Sequence, residues 1–119
     1  MVSFFKYPKR HLRKLVQEGE YVDALEYGKS LEPKFSEDAD YLFIMGSIYY
    51  ILEDAKKAIS YFDKAISLKG DDVETLMLKT NAHLALQEKE EAIHCCKHIL
   101  KIVPNHSEAT SLLTQLEEL

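Results

Sequence analysis

The segment HCCKH at residues 94–98 carries the side chains of this sequence that are best suited to chemistry. His94 and His98 are four residues apart, so on a helix their imidazoles share one face and could bind a metal ion. A structural site needs about four ligands, however, and Cys95 and Cys96 would point away from that face. Neighbouring cysteines on a helix also point about 100° apart, so no disulfide between them is expected. We therefore predict surface histidines beside a core cysteine and no bound metal, with a metal site as the alternative.

Other signatures of catalysis are missing from the sequence. It contains no glycine-rich phosphate loop, no nucleophile elbow and no pair of carboxylates with an obvious cleft. We expect His83 to be a partly buried packing residue with a hydrogen-bond partner rather than a catalytic base. The sequence therefore predicts a protein that is not an enzyme and needs no cofactor.

Basic residues are concentrated at the N-terminus. The net charge is −5, yet residues 1–17 hold Lys6, Lys9, Arg10, Arg13 and Lys14 and none of the 20 acidic residues. A solvated first helix explains this pattern, and a basic docking end is the alternative. We do not expect nucleic acid as a partner, because the acidic remainder of the chain would repel phosphate.

The length and hydropathy of the chain indicate a single globular domain. Its 119 residues fit one domain, and 46% hydrophobic with 29% charged residues is a globular composition. The apolar run at 41–52 is shorter than the roughly 20 residues that a membrane helix needs. The N-terminus lacks the apolar region and cleavage site of a signal peptide. We expect a soluble, cytoplasmic protein without membrane insertion.

A repeat with a period of 34 residues runs through the chain. Ala24, Ala58 and Ala92 are each 34 residues apart, and a branched aliphatic residue follows each of them. Gly70 and Pro104 have the same spacing, so both links break a helix at the same phase. Asp71 with Glu74 and Asn105 with Glu108 have the spacing of capping boxes. Helical periodicity then predicts helices at about 8–18, 21–32, 39–52, 55–68, 72–86, 89–102 and 106–118.

The middle unit also carries residues at the signature spacings of the tetratricopeptide repeat family: Leu42, Met45, Gly46, Tyr49, Ala58, Phe62 and Ala65. The chain resembles this family over essentially its whole length, although the third unit departs from the signature at Lys79, Thr80, His83, Cys96 and Ile99. The resemblance implies an all-α, right-handed α-solenoid with seven helices. It places helix–turn–helix repeats at about 5–38, 39–72 and 73–106 and a capping helix at about 107–119, in one domain spanning 1–119.

Gly46 lies in the middle of the apolar run, where glycine costs up to about 1 kcal/mol relative to alanine in a helix. A close approach by a neighbouring helix would explain this cost. The resemblance implies that the second helix of the same unit fills that place with Ala58 and Phe62.

The resemblance further implies a concave groove lined by the first helix of each unit. In that register the groove residues are Lys9, Arg13, Phe43, Ser47, Tyr50, Met77, Asn81 and Leu84. The predicted function is a protein–protein interaction module, an adaptor or assembly scaffold. It would bind a helical or extended peptide with apolar anchors and an acidic end. The alternative is a self-associating scaffold with no peptide ligand, or a groove covered by the chain's own MVSFF start. We expect a monomer or a weak homo-oligomer.

The sequence argues against one class of peptide ligand. Some members of the family grip the C-terminal carboxylate of heat-shock chaperones with lysines, asparagines and an arginine. Only Lys9 stands at such a position here, while Arg13, Ile44, Glu74 and Leu78 occupy the others. Since Glu74 would repel an acidic tail, we expect no useful affinity for chaperone tails.

Overall fold

The helices begin and end close to where the apolar periodicity does. The computed structural model describes residues 6–118, and eight helices and no strand lie in that range. They are α1 (Pro8–Gln17), α2 (Tyr21–Ser30), α3 (Glu32–Phe35), α4 (Ala39–Ile51), α5 (Ala55–Lys69), α6 (Val73–Ala85), α7 (Lys89–Ile102) and α8 (Ser107–Glu117). The seven predicted helices are confirmed to within two residues at each end. The described residues form an elongated solenoid of 53 × 25 × 22 Å, in which each long helix packs on its neighbours in sequence.

Aspartate side chains set the starts of the central helices. Asp38, Asp54 and Asp72 each accept a hydrogen bond from the backbone N–H three residues later. The capping boxes predicted at Asp71 and Asn105 are wrong by one residue. Asp72 caps α6 because its carboxylate accepts from both the amide and the hydroxyl of Thr75, and His106 Nδ1 caps α8.

The close contact predicted at Gly46 is confirmed. A Cβ atom placed on Gly46 would lie 2.6 Å from Cε1 and 2.7 Å from Cδ1 of Phe62. Phe62 itself is fully buried, as is Ala58 one turn earlier on α5. Glycine is therefore required because the aromatic ring of α5 occupies the space where a side chain of α4 would stand.

In the first repeat, the second helix carries a glycine, Gly28, in place of an aromatic residue. It occupies the position of Phe62 one repeat earlier, and the side chain of Met45 from the next repeat packs onto it. The hydroxyl of the buried Tyr41 donates to the Gly28 carbonyl at 2.8 Å. The aromatic residue missing from α2 is thus replaced by two side chains of α4.

The short helix α3 was not predicted, and it joins the first repeat to the second. Its first residue, Glu32, accepts a hydrogen bond from the hydroxyl of Tyr61 at 2.7 Å, and the same oxygen lies 3.3 Å from the Tyr41 hydroxyl, whose proton is directed mainly to the Gly28 carbonyl. Burial, reinforced by the Glu32 carboxylate, raises the pKa of both Tyr41 and Tyr61 above the usual tyrosine value. The network therefore favours neutral tyrosines.

The C-terminal end of the solenoid is covered by α8. Ala109 and Leu116 are buried against α6 and α7, and Leu112 and Leu113 pack beside them. Its other positions are exposed: Ser111, Thr114, Gln115 and Glu117. The apolar face of α8 thus lies inward and its polar face outward, which is the distribution expected of a capping helix. Within residues 6–118, no helix is both long enough and apolar enough to cross a bilayer.

Replacing Gly46 by leucine is expected to lower the free energy of unfolding by roughly 1–3 kcal/mol, because the new side chain overlaps the Phe62 ring. Urea unfolding followed by circular dichroism measures the change. Ser60→Leu is the control, since it adds the same side chain at an exposed position of α5. Equal stability of the two variants would contradict the assigned contact.

Stability is also expected to fall as the pH rises past about 10. Because the folded state raises the pKa of Tyr41 and Tyr61, the unfolded chain releases these protons first, and their ionisation favours unfolding. Tyr61→Phe should therefore lose less stability than the wild type between about pH 8 and about pH 10.5 in urea unfolding. Tyr7→Phe, at an exposed tyrosine, is the control. A Tyr61→Phe profile parallel to the wild-type profile would refute this account.

Candidate functional site

One cavity opens on the face formed by α1 and α4. Its volume is about 320 Å³, and its far wall is built by the end of α5 and the start of α6. Apolar side chains form part of its lining: Val16, Phe43, Ile44 and Ile66. The charged lining residues are Arg13, Asp40, Lys69, Asp72 and Glu74. The cavity thus combines apolar surface with charges of both signs.

The structure brings together three of the eight predicted groove residues at this cavity. Arg13, Phe43 and Ser47 line it, on α1 and α4. Phe43 is half-buried and its ring lies 6.2 Å from that of Phe62, so it also packs on the core. The Ser47 hydroxyl donates to the Phe43 carbonyl at 2.9 Å, which is a bond within α4.

The other five predicted residues lie outside the cavity. Lys9 does not line it, and its ammonium group lies 5.8 Å from the centre of the Phe35 ring. Tyr50, Asn81 and Leu84 are half-buried further along the solenoid, and Tyr50 and Leu84 pack against core clusters. Met77 is buried in the core with Leu76, Ile99 and Ala109.

The α5 part of the far wall was missed because the groove was assigned to the first helix of each unit only. Ile66 and Lys69 belong to α5, the second helix of its unit, and they reach the cavity where that helix ends. The signal available in the sequence was Gly70, which has a φ of +98° and turns the chain away immediately after Lys69.

Three ion pairs connect α1 to the start of α4. Arg13 Nη2 lies 2.7 Å from Asp40 Oδ2, and Lys9 Nζ lies 2.8 Å from Asp38 Oδ2 and 3.9 Å from Asp40 Oδ2. Burial opposes ionisation of Asp38, but hydrogen bonds from Lys9 and the Tyr41 amide outweigh it and lower the pKa of Asp38. The basic groups at this end of the cavity are therefore already paired with carboxylates.

In the HCCKH segment both cysteines are buried, whereas the sequence predicted a single core cysteine. His94 is exposed, His98 is half-buried with Nε2 2.9 Å from Asp71 Oδ2, and Cys96 is fully buried. His83 is 8% exposed and its Nδ1 lies 2.8 Å from Glu88 Oε1, so it is the hydrogen-bonded packing residue expected. Among residues 6–118, no three His, Cys, Asp or Glu side chains are grouped so that they could hold a metal ion.

Comparison with known sequences decides the family. The sequence model described as Tetratricopeptide repeat matches residues 49–116, more than half of the chain. This chain belongs to the tetratricopeptide repeat family. A search of curated proteins finds no match.

Solved structures of other tetratricopeptide repeat domains have the same fold. The first such domain of Spaghetti (RPAP3), bound to the HSP90 peptide SRMEEVD, has a TM-score of 0.83 at 23% identity and covers 93% of this chain and 88% of its own. The second domain of human RPAP3, in complex with the HSP70 peptide SGPTIEEVD, has a TM-score of 0.81 at 19% identity and covers 92% of each chain. MamA from residue 41 to its end, from Desulfovibrio magneticus RS-1, has a TM-score of 0.85 at 21% identity, over 95% of this chain and 64% of that chain. At these identities the likeness shows the fold alone, and it confirms the all-α solenoid.

The exclusion of chaperone tails is wrong. Two domains that match nearly all of this tetratricopeptide repeat chain are bound to HSP90 and HSP70 peptides. The exclusion gave too much weight to the charge of Glu74 and to residue types at a few positions. These two domains share 23% and 19% identity with this chain and bind acidic peptides. Differences at single positions therefore do not exclude that class of ligand.

Both cysteine thiols are expected to react slowly with Ellman's reagent in the native protein, at least about 100-fold slower than after unfolding in guanidinium. Cys95 and Cys96 are buried as free thiols, and burial raises the pKa of each, which keeps it protonated. Ser60→Cys supplies a matched exposed thiol as the control. If the two native thiols react as fast as Cys introduced at that position, the buried placement is incorrect.

Proposed function

We propose that this tetratricopeptide repeat chain is a protein-interaction module that acts as an adaptor or assembly scaffold. It binds a peptide segment of a partner protein at the cavity between α1, α4 and the α5–α6 junction. The observation that carries the proposal is the open cavity of about 320 Å³, with its partly apolar lining and charged rim. No catalytic step forms part of the proposal.

The size and lining of the cavity suit one apolar anchor side chain of the ligand. Sites for small ligands begin at roughly 300 Å³, and a few polar groups in an apolar lining fix the orientation of what they bind. Phe43 offers an aromatic surface and Val16 and Ile66 the flanking walls. A leucine or aromatic side chain of the ligand would displace water from all three, and such buried anchors dominate binding energy.

Basic groups on two sides of the cavity offer contacts to a ligand that also carries acidic groups, although those of α1 are shared with Asp38 and Asp40. Arg13 and Lys9 stand at the α1 end, and Lys69 stands on the opposite wall. RPAP3 domains of the same fold bind peptides that end in acidic residues, so this peptide class belongs among the ligands to be tested. We further propose a reducing, cytoplasmic setting, which the two free buried thiols support.

The test selects a phage-displayed library of random peptides on the immobilised chain and then titrates the enriched peptides by fluorescence anisotropy. SRMEEVD with a free C-terminus serves as the acidic probe, and SRMQQVN with an amidated C-terminus serves as the neutral probe. Ser47→Phe fills the cavity from α4 and is expected to weaken groove binding about tenfold or more, with little change in stability. Phe43→Ala should weaken it by a similar factor, but it also removes contact with Phe62 and so lowers stability.

Ser60→Phe is the matched control, because it adds the same ring at an exposed position of α5. If no peptide is enriched, or if every enriched peptide binds Ser47→Phe as tightly as the wild type, this cavity is not the binding surface. A dimer that persists on dilution in light scattering would instead favour the self-associating scaffold.

A further inference from the structure

The basic end of the cavity contains its own acidic partner. Asp40 lies in the first turn of α4, and its Oδ2 is 2.7 Å from Arg13 Nη2 and 3.9 Å from Lys9 Nζ. Both Arg13 and Asp40 line the cavity. An acidic group of a ligand that reached Arg13 would therefore meet a carboxylate already bound there.

Asp40 is not needed to build the helix that carries it. The α4 N-cap is Asp38, whose side chain accepts from the Tyr41 amide at 3.0 Å and pairs with Lys9. Asp40 is more than half exposed, and its pair with Arg13 is an exposed one. Exposed ion pairs of this kind contribute little to stability. The Asp40 carboxylate can thus leave Arg13 without disturbing the fold.

We propose that Asp40 is a specificity-determining residue of the groove, an internal competitor that occupies Arg13 and thereby limits how tightly the chain binds acidic peptides. The inference rests on the proposed function and concerns the same cavity. An acidic ligand must displace the Asp40 carboxylate from Arg13 and then remain beside its negative charge. A ligand that uses only apolar anchors meets no such competition.

The test measures the affinity of the acidic probe and the neutral probe for the wild type and for Asp40→Asn by fluorescence anisotropy. Asparagine keeps the size of the side chain and removes the charge. Two unit charges about 4 Å apart in water interact by an amount equivalent to roughly a fivefold change in affinity, so Asp40→Asn should bind the acidic probe about fivefold tighter at low salt. The gain should shrink toward zero near about 1 M salt, and the neutral probe should show none.

Two further variants locate the effect. Glu117→Gln removes the same charge from α8, where Glu117 pairs with Lys97 at 3.8 Å, and it should leave both probes unchanged. Arg13→Gln should weaken the acidic probe more in the Asp40→Asn background than in the wild type, because only there is Arg13 free to bind the ligand.

The competitor assignment is overturned if Asp40→Asn and Glu117→Gln change the acidic-probe affinity equally, or if the neutral probe gains as much as the acidic one. It is also overturned if the acidic probe binds neither the wild type nor Asp40→Asn. In that last case the proposed function still stands, provided that a library peptide loses affinity in Ser47→Phe. If no peptide depends on position 47, the proposed function fails as well.

Discussion

The contact between Gly46 and Phe62 fixes the geometry on which the rest of the second repeat depends. The ring of Phe62 lies where a side chain of α4 would otherwise stand, so α4 and α5 approach as closely as the backbone allows. That approach sets the rotation of α4 about its axis, which buries Met45 and Tyr49 and leaves Phe43 and Ser47 only half-buried. The cavity therefore borders this core contact, because Phe43 lies one turn before Gly46 on α4 and its ring lies 6.2 Å from that of Phe62.

Neighbouring repeats reach similar packing with different residues. Phe62 fills the space beside Gly46 within the second repeat, whereas Gly28 at the same position of the first repeat is covered by Met45 from the next one. The bond from the Tyr41 hydroxyl to the Gly28 carbonyl adds a polar link across that junction. In a solenoid each repeat contacts only its neighbours, so a side chain lost from one repeat can be replaced only from an adjacent one.

The fold could be predicted from the sequence because the local pattern of apolar residues determines the helices. The site could be predicted only in part, because it also depends on the distances between helices. The 34-residue register put Arg13, Phe43 and Ser47 on one face, and the three line one cavity, since angular position on a helix follows from sequence spacing. The same register could not show that Met77 is buried, because burial depends on how closely α7 and α8 approach α6.

Helix α3 was missed because four residues around Pro33 have no apolar period. The pair of Arg13 with Asp40 joins residues 27 positions apart, and no local pattern reports it.

Binding and stability are coupled in this molecule because Phe43 belongs to both the cavity and the core. Its ring lies 6.2 Å from that of Phe62, which in turn rests on Gly46. A ligand that packs on Phe43 would restrain this ring and favour the folded second repeat over the unfolded chain. Ser47 lines the same cavity, but its hydroxyl bonds only within α4, so substitutions there separate ligand access from core packing. The exposed pair of Arg13 and Asp40 contributes little to the stability of the core, so the charge of the groove can also change independently of the fold.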